Sequence, residues 1–588
     1  MSSFIRLRTS LVRVMVLMAG SGFLAIYPEF GACVCPVPDK TPVTVPVDYA
    51  TPADIKVNGY ANSPCATLQQ AASFAWQEFI SLNWPAATSI QNKPARDTPD
   101  TTRFFGDSSF TGPLVWHTFR GKVEIFPVDN MMNYNSGLKD YGYDQPPSYN
   151  YKGDGVKINL PPGSENPGYQ TPWINLDENS QIGLNKIYAG VVSSIPRDTN
   201  AQILFMAKAN RAEYTYVTSN KWWHPPAELF RRTMAFVKES KGDPTQGSNN
   251  CDNQLPQGHC VSFPNGTIEV KAGWRKLTAD EATSGRFYIT QVRHYVSPDN
   301  SAANIRAVDE PMGLVGLHII QKTPTAPYFI YATFEQADNI TDANGNPIED
   351  VDGNYRVLTN TTPMTPNIVS QNAGPGTQQQ FTVKGSYPAT PGKQLYYQNI
   401  TGSEHGLPDG GIILVNKRIN DIPPEIVGVN QIAHSAIALY ATQKKLQRTP
   451  VWMYYKLVNV QYVPITGKVS GIDDYPRSTY YQSNSVIETD YNLQKFSGEF
   501  VDFNGKQFNI TDFTAENGDL HNVAYFNTSH IGVGVNMGGC MGCHGNSQAA
   551  GGDFSFILFD APVQAPEWDS KSLNDKSFAR FATYLRRP

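Results

Sequence analysis

The sequence predicts a mostly β protein of the α+β kind: a large antiparallel-sheet core with peripheral helices, long loops and a Cys-x-x-Cys-His motif near the C-terminus. Three observations carry this. Four segments are dense in β-branched and aromatic residues: Ile268-Glu269-Val270-Lys271, 286–292, 314–320 and 328–334. The turn between the last two is short, which favours antiparallel pairing. The chain also holds 47 Gly, 43 Pro and 30 Tyr, a loop-rich, strand-heavy composition that suits an extracytoplasmic protein. At 588 residues there is ample material for a core. Charged residues make up only 17% and the formal net charge is −5, so no basic field for a nucleic acid is present.

Taken in order, the chain opens with Arg6, Arg8 and Arg13 ahead of the apolar run Val14-Met15-Val16-Leu17-Met18-Ala19. A basic stretch before a short apolar one reads as a secretory signal, assigned here to residues 1–32. It is too short for a membrane span, and no later segment is long and apolar enough to make one. Gly31-Ala32-Cys33 resembles the end of a lipoprotein box, which would make Cys33 a lipid anchor; cleavage after Ala19-Gly20-Ser21 is the competing option. Residues 33–335 are expected to form an N-terminal α+β region with antiparallel strands, 336–412 a loop-rich excursion, and 413–588 a C-terminal region carrying the Cys-x-x-Cys-His motif.

Within these, Leu68, Ala71, Ala72, Ala75, Trp76, Phe79 and Leu82 recur at helical spacing behind a Thr67 cap, and Pro85 stops the run. Leu114, Val115, Phe119, Val123 and Phe126 suggest a second short helix interrupted by Gly121. Residues 129–180 have no period and read as a surface excursion. Pro225-Pro226 opens a helix with Leu229, Phe230, Ala235 and Phe236 buried; Trp222-Trp223-His224 before it reads as a packed corner. Asp342, Asn344, Asn346, Asp350, Asp352 and Asn354 alternate as in a calcium loop but lack a closing glutamate, so hairpin turns are expected. A short helix over 431–440, a strand over 452–462, a strand over 554–559 and a terminal amphipathic helix with Phe578, Phe581 and Leu585 follow.

The chemistry concentrates in Gly538-Gly539-Cys540-Met541-Gly542-Cys543-His544-Gly545. Cys-x-x-Cys-His is the attachment pattern of a c-type haem. Thiols at i and i+3 project from one side of a helical turn and can add to two porphyrin vinyl groups, while His544 points at the iron as proximal ligand. A disulfide or part of a zinc site are the alternatives, but no second Cys/His pair at zinc spacing exists. The expected cofactor is one covalent haem c. No Met or His follows His544, so a protein sixth ligand must come from upstream. His530 has the chain slack to reach the opposite face, and His521, His434 and His318 are alternatives through the fold. An open sixth position is the other outcome.

Of the remaining cysteines, Cys251 and Cys260 bracket a short polar loop and are expected to pair. Cys33, Cys35 and Cys65 are odd in number; a lipidated Cys33 with a Cys35–Cys65 bridge resolves this, and one free thiol is the alternative.

Several phrases resemble a group of large bacterial exported proteins described as cytochrome c-like. They are Phe74-Ala75-Trp76-Gln77-Glu78-Phe79-Ile80-Ser81-Leu82-Asn83-Trp84-Pro85, Gly316-Leu317-His318-Ile319-Ile320-Gln321-Lys322-Thr323, Ala332-Thr333-Phe334-Glu335-Gln336-Ala337-Asp338-Asn339, and the haem segment with its trailing Asp553 to Leu558. The resemblance implies haem at Cys540, Cys543 and His544 and brings no activity with it. The C-terminal stretch alone also looks like the small β-sheet cytochromes related to c-prime, which bind gases or oxidise hydroxylamine.

Two function classes follow. One is a haem oxidoreductase acting on a small molecule, with Glu335, Asp338, His318 and Arg293 as acid–base groups of the strand-rich centre, each weighed against a structural role. The other is an electron carrier with a six-coordinate haem serving a periplasmic or surface redox partner. A surface-binding protein with structural haem is the third. The mass of protein around one haem leans towards the first. The expected location is the periplasm or outer surface of a Gram-negative bacterium.

Overall fold

The structure is a computed structural model that describes residues 42–126, 137–147, 171–176, 203–239, 255–296, 306–339, 349–355, 422–463 and 551–559, with isolated positions and short runs elsewhere, mostly between 484 and 548. One eight-stranded sheet organises these residues. Its strands are β1 (Arg120–Gly121), β2 (Ile174–Asn175), β3 (Leu204–Ala209), β4 (Ile268–Arg275), β5 (Ile289–Val296), β6 (Arg306–Thr323), β7 (Ala326–Gln336) and β8 (Tyr455–Gln461). The lateral order is β8-β7-β6-β4-β3-β1, with β5 along the first half of β6 and β2 against β5. All pairings are antiparallel except β2–β5. The expected β-dominated core is present, and β8, from beyond the 336–412 excursion, extends the same sheet.

Register separates two unlike faces. Leu317 lies opposite Phe334 and Ala272, and Ile319 opposite Ala332 and Val270. That face is apolar. His318 lies opposite Thr333 and Lys271, and Tyr331 opposite Gln461; this second face is polar.

The apolar face carries two of the helices. Helix α1 (Leu68–Leu82) starts at Thr67, whose hydroxyl accepts from Gln70 N at 3.2 Å while Gln70 Oε1 accepts from Thr67 N at 2.9 Å. Phe79 stacks on Phe334 with centroids 4.3 Å apart, and Trp76 meets the same ring edge-on. Three further helices, α2 (Lys122–Ile125), α3 (Arg211–Ser219) and α4 (Ala227–Glu239), lie before β4, and α5 (Pro424–Gln443) packs on α1.

Asn430 of α5 ties this layer to the sheet edge. Its Oδ1 accepts from Trp76 Nε1 (2.8 Å) and Leu457 N (3.1 Å), and its Nδ2 donates to Leu457 O (3.0 Å) and Asp352 O (2.7 Å). The carboxamide thus uses its full bonding capacity and serves the outer strand β8 as a neighbouring strand would.

Several expectations change. The apolar set at 114–126 forms no single helix: a 3₁₀ turn over Trp116–Thr118 leads into β1 and then the one-turn α2. Ala235 is exposed, and Thr233 takes the buried place beside Leu229 and Phe230. Residues 129–180 are not all surface, since Tyr143, Ile174 and Leu176 are buried. Residues 554–559 form turns rather than a strand. Trp222 is buried as a packed corner should be. Asp350 Oδ1 accepts from Asp352 N and Asn354 N, so the second half of the aspartate-rich stretch is a turn; its first half and the terminal amphipathic helix lie outside the described residues. No helix of the described residues is long and apolar enough to cross a membrane.

Replacing Asn430 with Ala orphans a buried indole N–H and removes a partner from three backbone groups, so stability should fall by about 2–4 kcal/mol. Chemical denaturation of both proteins measures this; an unchanged midpoint would show that Asn430 does not hold the edge.

Candidate functional site

The haem-type segment lies over the polar face of the sheet. Cys540, Met541 and His544 have helical backbone, and Ser547 and Gln548 do too. Met541 is buried, and its N–H donates to Gln461 Oε1 of β8 at 2.9 Å. Cys540 is half-buried against the core. Cys543 and His530 lie outside the described residues.

His544 is held on two sides. Its ring lies 4.8 Å from the Tyr331 ring and 5.1 Å, edge-on, from Phe556. Its Nδ1 is 2.7 Å from Phe554 O. A carbonyl only accepts, so Nδ1 carries the proton and Nε2 keeps its lone pair. Burial pushes the imidazole down to about 4, with the charges of His318 and Lys271 acting in the same direction and the Phe554 bond against it. At neutral pH the ring is therefore uncharged, the form that ligates a metal. A ligating histidine whose second nitrogen donates to a backbone carbonyl is the usual arrangement around a metal, and the residues present fit a haem iron in that respect.

The Phe554 carbonyl is aimed by an unusual turn. Asp553 (φ +52°) and Phe554 (φ +63°) are successive left-handed residues, which Asp tolerates and Phe does not. Strain of about 1–3 kcal/mol per such residue persists only where surroundings over-determine it. They do so here. Asp553 Oδ2 accepts from Lys322 Nζ of β6 (2.7 Å) and Phe263 N (2.6 Å), with both ion-pair side chains 1% exposed. Ser555 O accepts from Ser547 Oγ, and Ser555 Oγ from Ile557 N at 3.0 Å. Gly551, at φ +90°, lies so close to α4 that a Cβ would run into the Phe230 carbonyl. Phe559 then stacks on Phe230 at 4.8 Å.

A second segment covers the same face. Asn484 Nδ2 donates to Thr333 Oγ1 (3.0 Å) and Phe334 O (2.9 Å). Val486 and Ile487 approach Gly316 so closely that a Cβ there would lie 2.9 Å from Ile487 Cδ1.

The other residues singled out by sequence divide. His318 shares the polar face with the groups around His544. Arg293 instead pairs with Asp309 (2.7 Å), and Asp338 with Arg286 (2.5 Å). Glu335 is buried opposite Lys456 in the β7–β8 ladder. His434 is taken by structure: Nδ1 meets Asp352 Oδ1 at 2.6 Å and Nε2 meets Tyr455 O at 2.9 Å. Cys251 and Cys260 are disulfide-bonded as expected, with Cα atoms 6.3 Å apart. Cys65 is also disulfide-bonded, to a partner outside the described residues.

No protein-family model, curated protein or solved structure matches the chain. The site must be read from its own atoms.

Sequence reasoning missed two carboxylates beside the turn. Glu213, in the first turn of α3, is wholly buried, and neither of its oxygens has a hydrogen-bond donor among the described residues. Glu269 of β4 neighbours it and Ser555.

Because both ends of the Lys322–Asp553 pair are dry, Lys322→Met should cost about 3–5 kcal/mol, and adding Asp553→Asn, which removes the stranded charge but keeps an acceptor for Phe263 N, should restore part of that loss. Denaturation of the single and double variants checks this; additive losses would mean that the pair does not act as a unit.

Proposed function

We propose that this chain is an exported monohaem c-type cytochrome-like protein, a haem oxidoreductase that handles a small molecule over the polar face of its sheet. The observation that carries the reading is the bond between His544 Nδ1 and Phe554 O. It presents Nε2 as a neutral ligand from within the Cys-x-x-Cys-His pattern. Cys540 and Cys543 would hold the thioethers and His544 the iron. When bound, the haem supplies one-electron redox chemistry and a coordination position for a small ligand.

The chain's own groups do the rest. Phe554 O fixes the tautomer and ring plane of His544, and Tyr331 and Phe556 limit its rotation. Lys271 and His318 add a cation and an acid–base group on the same sheet face, which supports small-molecule handling over simple electron carriage. His318 on that face also favours a second reading, an electron carrier in which a second imidazole closes the iron. Export is supported by the basic-then-apolar opening and by cysteines in disulfides at Cys65 and Cys251–Cys260.

Expression in a host with cytochrome-maturation machinery tests this. Denatured, solvent-extracted wild type should give a pyridine haemochrome band, and Cys540→Ala with Cys543→Ala should remove it entirely. His544→Ala should lower attachment and change the spectrum of whatever haem remains. A ferric high-spin spectrum that shifts with carbon monoxide on reduction marks the open-site enzyme; a low-spin ferrous spectrum indifferent to carbon monoxide marks the carrier. No haemochrome in the wild type would overturn both.

A further inference from the structure

Glu213 and Glu269 come together because one side chain staples their backbones. Asn210 caps α3, its Oδ1 accepting from Glu213 N at 3.3 Å, and the same oxygen accepts from Ile268 N at 3.2 Å. Asn210 N also donates to Ile268 O at 3.0 Å. The first turn of α3 is thereby fixed against the start of β4, and the two carboxyls fall within hydrogen-bonding reach of each other.

Carboxylates only accept, so two ionised ones in contact repel, and a proton between them turns repulsion into a hydrogen bond. Both Glu213 oxygens and Glu269 Oε1 are buried without a donor among the described residues. That orphaned state is costly for a charged carboxylate and is relieved when a proton is shared. Glu269 is the more exposed residue of the two, while Glu213 is wholly buried. The charged groups facing Glu269 are Lys122 from α2 and Asp553 from the turn, the latter neutralised by Lys322.

We propose that Glu213 and Glu269 form a proton-binding site that takes up one proton when the neighbouring redox centre gains one electron. The redox half of this rests on the haem reading above; the shared proton does not. The link is Ser555, which sits beside Glu269 and directly follows the residue whose carbonyl holds His544. One electron delivered by a one-electron donor and one proton taken from solvent leave the net charge of the buried region unchanged.

The titration range is suitable. Burial pushes Glu269 up to about 7, against the hydrogen bonds from Ser555 and Glu213, and pushes Glu213 well above the usual carboxylate range, with the Glu269 charge adding to the shift. As the native pair holds its protons more tightly than the unfolded chain, stability should decline as pH rises from the ordinary value 4.5 through about 7, where Glu269 ionises, and decline further as Glu213 gives up its own proton.

Two measurements on the full chain test the proposal. The infrared stretch of a protonated carboxyl should be present at pH 6, weaken as pH rises through about 7, and be lost in both Glu213→Gln and Glu269→Gln, whether or not haem is bound. The midpoint potential of the haem-loaded protein should fall by about 59 mV for each tenfold drop in proton concentration near pH 7, and Glu213→Gln should flatten that slope while leaving the visible spectrum unchanged. A carboxyl stretch missing from the wild type, or kept in both variants, overturns the shared proton. A pH-independent wild-type potential overturns the coupling. A chain without haem overturns the earlier reading instead, and the infrared result still decides the pair.

Discussion

The two faces of the sheet differ in polarity, and a period of two ties every residue to its face. A slip by one position would turn Leu317, Ile319, Phe334 and Ala332 outward and bring His318, Thr333 and Lys271 under the helices. The apolar face is satisfied by area: α1 and α5 lay Trp76, Phe79 and Ile437 into the core. The polar face needs partners, because buried donors and acceptors left alone would cost more than packing returns. Gln461 is answered by Met541 N, Thr333 by Asn484 and Lys322 by Asp553. The C-terminal part of the chain is therefore attached by directional polar bonds, which set position more tightly than apolar contact does.

Much of the fold was legible because its cues are local. The Thr67–Gln70 box and Pro85 bound α1, and β-branched runs mark β4, β6 and β7. The failures share a cause. Leu114, Val115, Phe119 and Phe126 are all buried, so the apolar count was right, but Lys208 of β3 bonds to the carbonyls of His117 and Phe119 and draws that backbone out of a helix. Likewise Ile174 joins β5 through a parallel pairing that no local pattern announces.

At the candidate site, spacing alone singles out Cys540 and His544. It does not reveal the turn behind them. Phe554-Ser555-Phe556-Ile557-Leu558 has every mark of a strand, and local propensity loses to Asp553, whose bonds to Lys322 and Phe263 N bend the chain before a strand can form. Glu213 and Glu269 carry no sequence signal either, since each looks like an ordinary charged surface residue. Their meeting depends on Asn210, whose one side-chain oxygen both caps α3 and bonds to β4.

Three consecutive residues, Asp553, Phe554 and Ser555, each serve a different neighbour: the β6 lysine, the His544 ring and Glu269. Any displacement of one must move the other two, because two successive left-handed residues leave the turn almost no soft dihedral in which to absorb it. A proton gained or lost at Glu269 therefore acts on the carbonyl that orients His544 through one rigid peptide rather than through a chain of packed side chains. That physical connection is short and has few parts. It also accounts for tolerating left-handed strain at a phenylalanine: a relaxed strand in the same place would point alternate side chains to opposite faces and could not present the Phe554 carbonyl and Ser555 to two different elements of one sheet face.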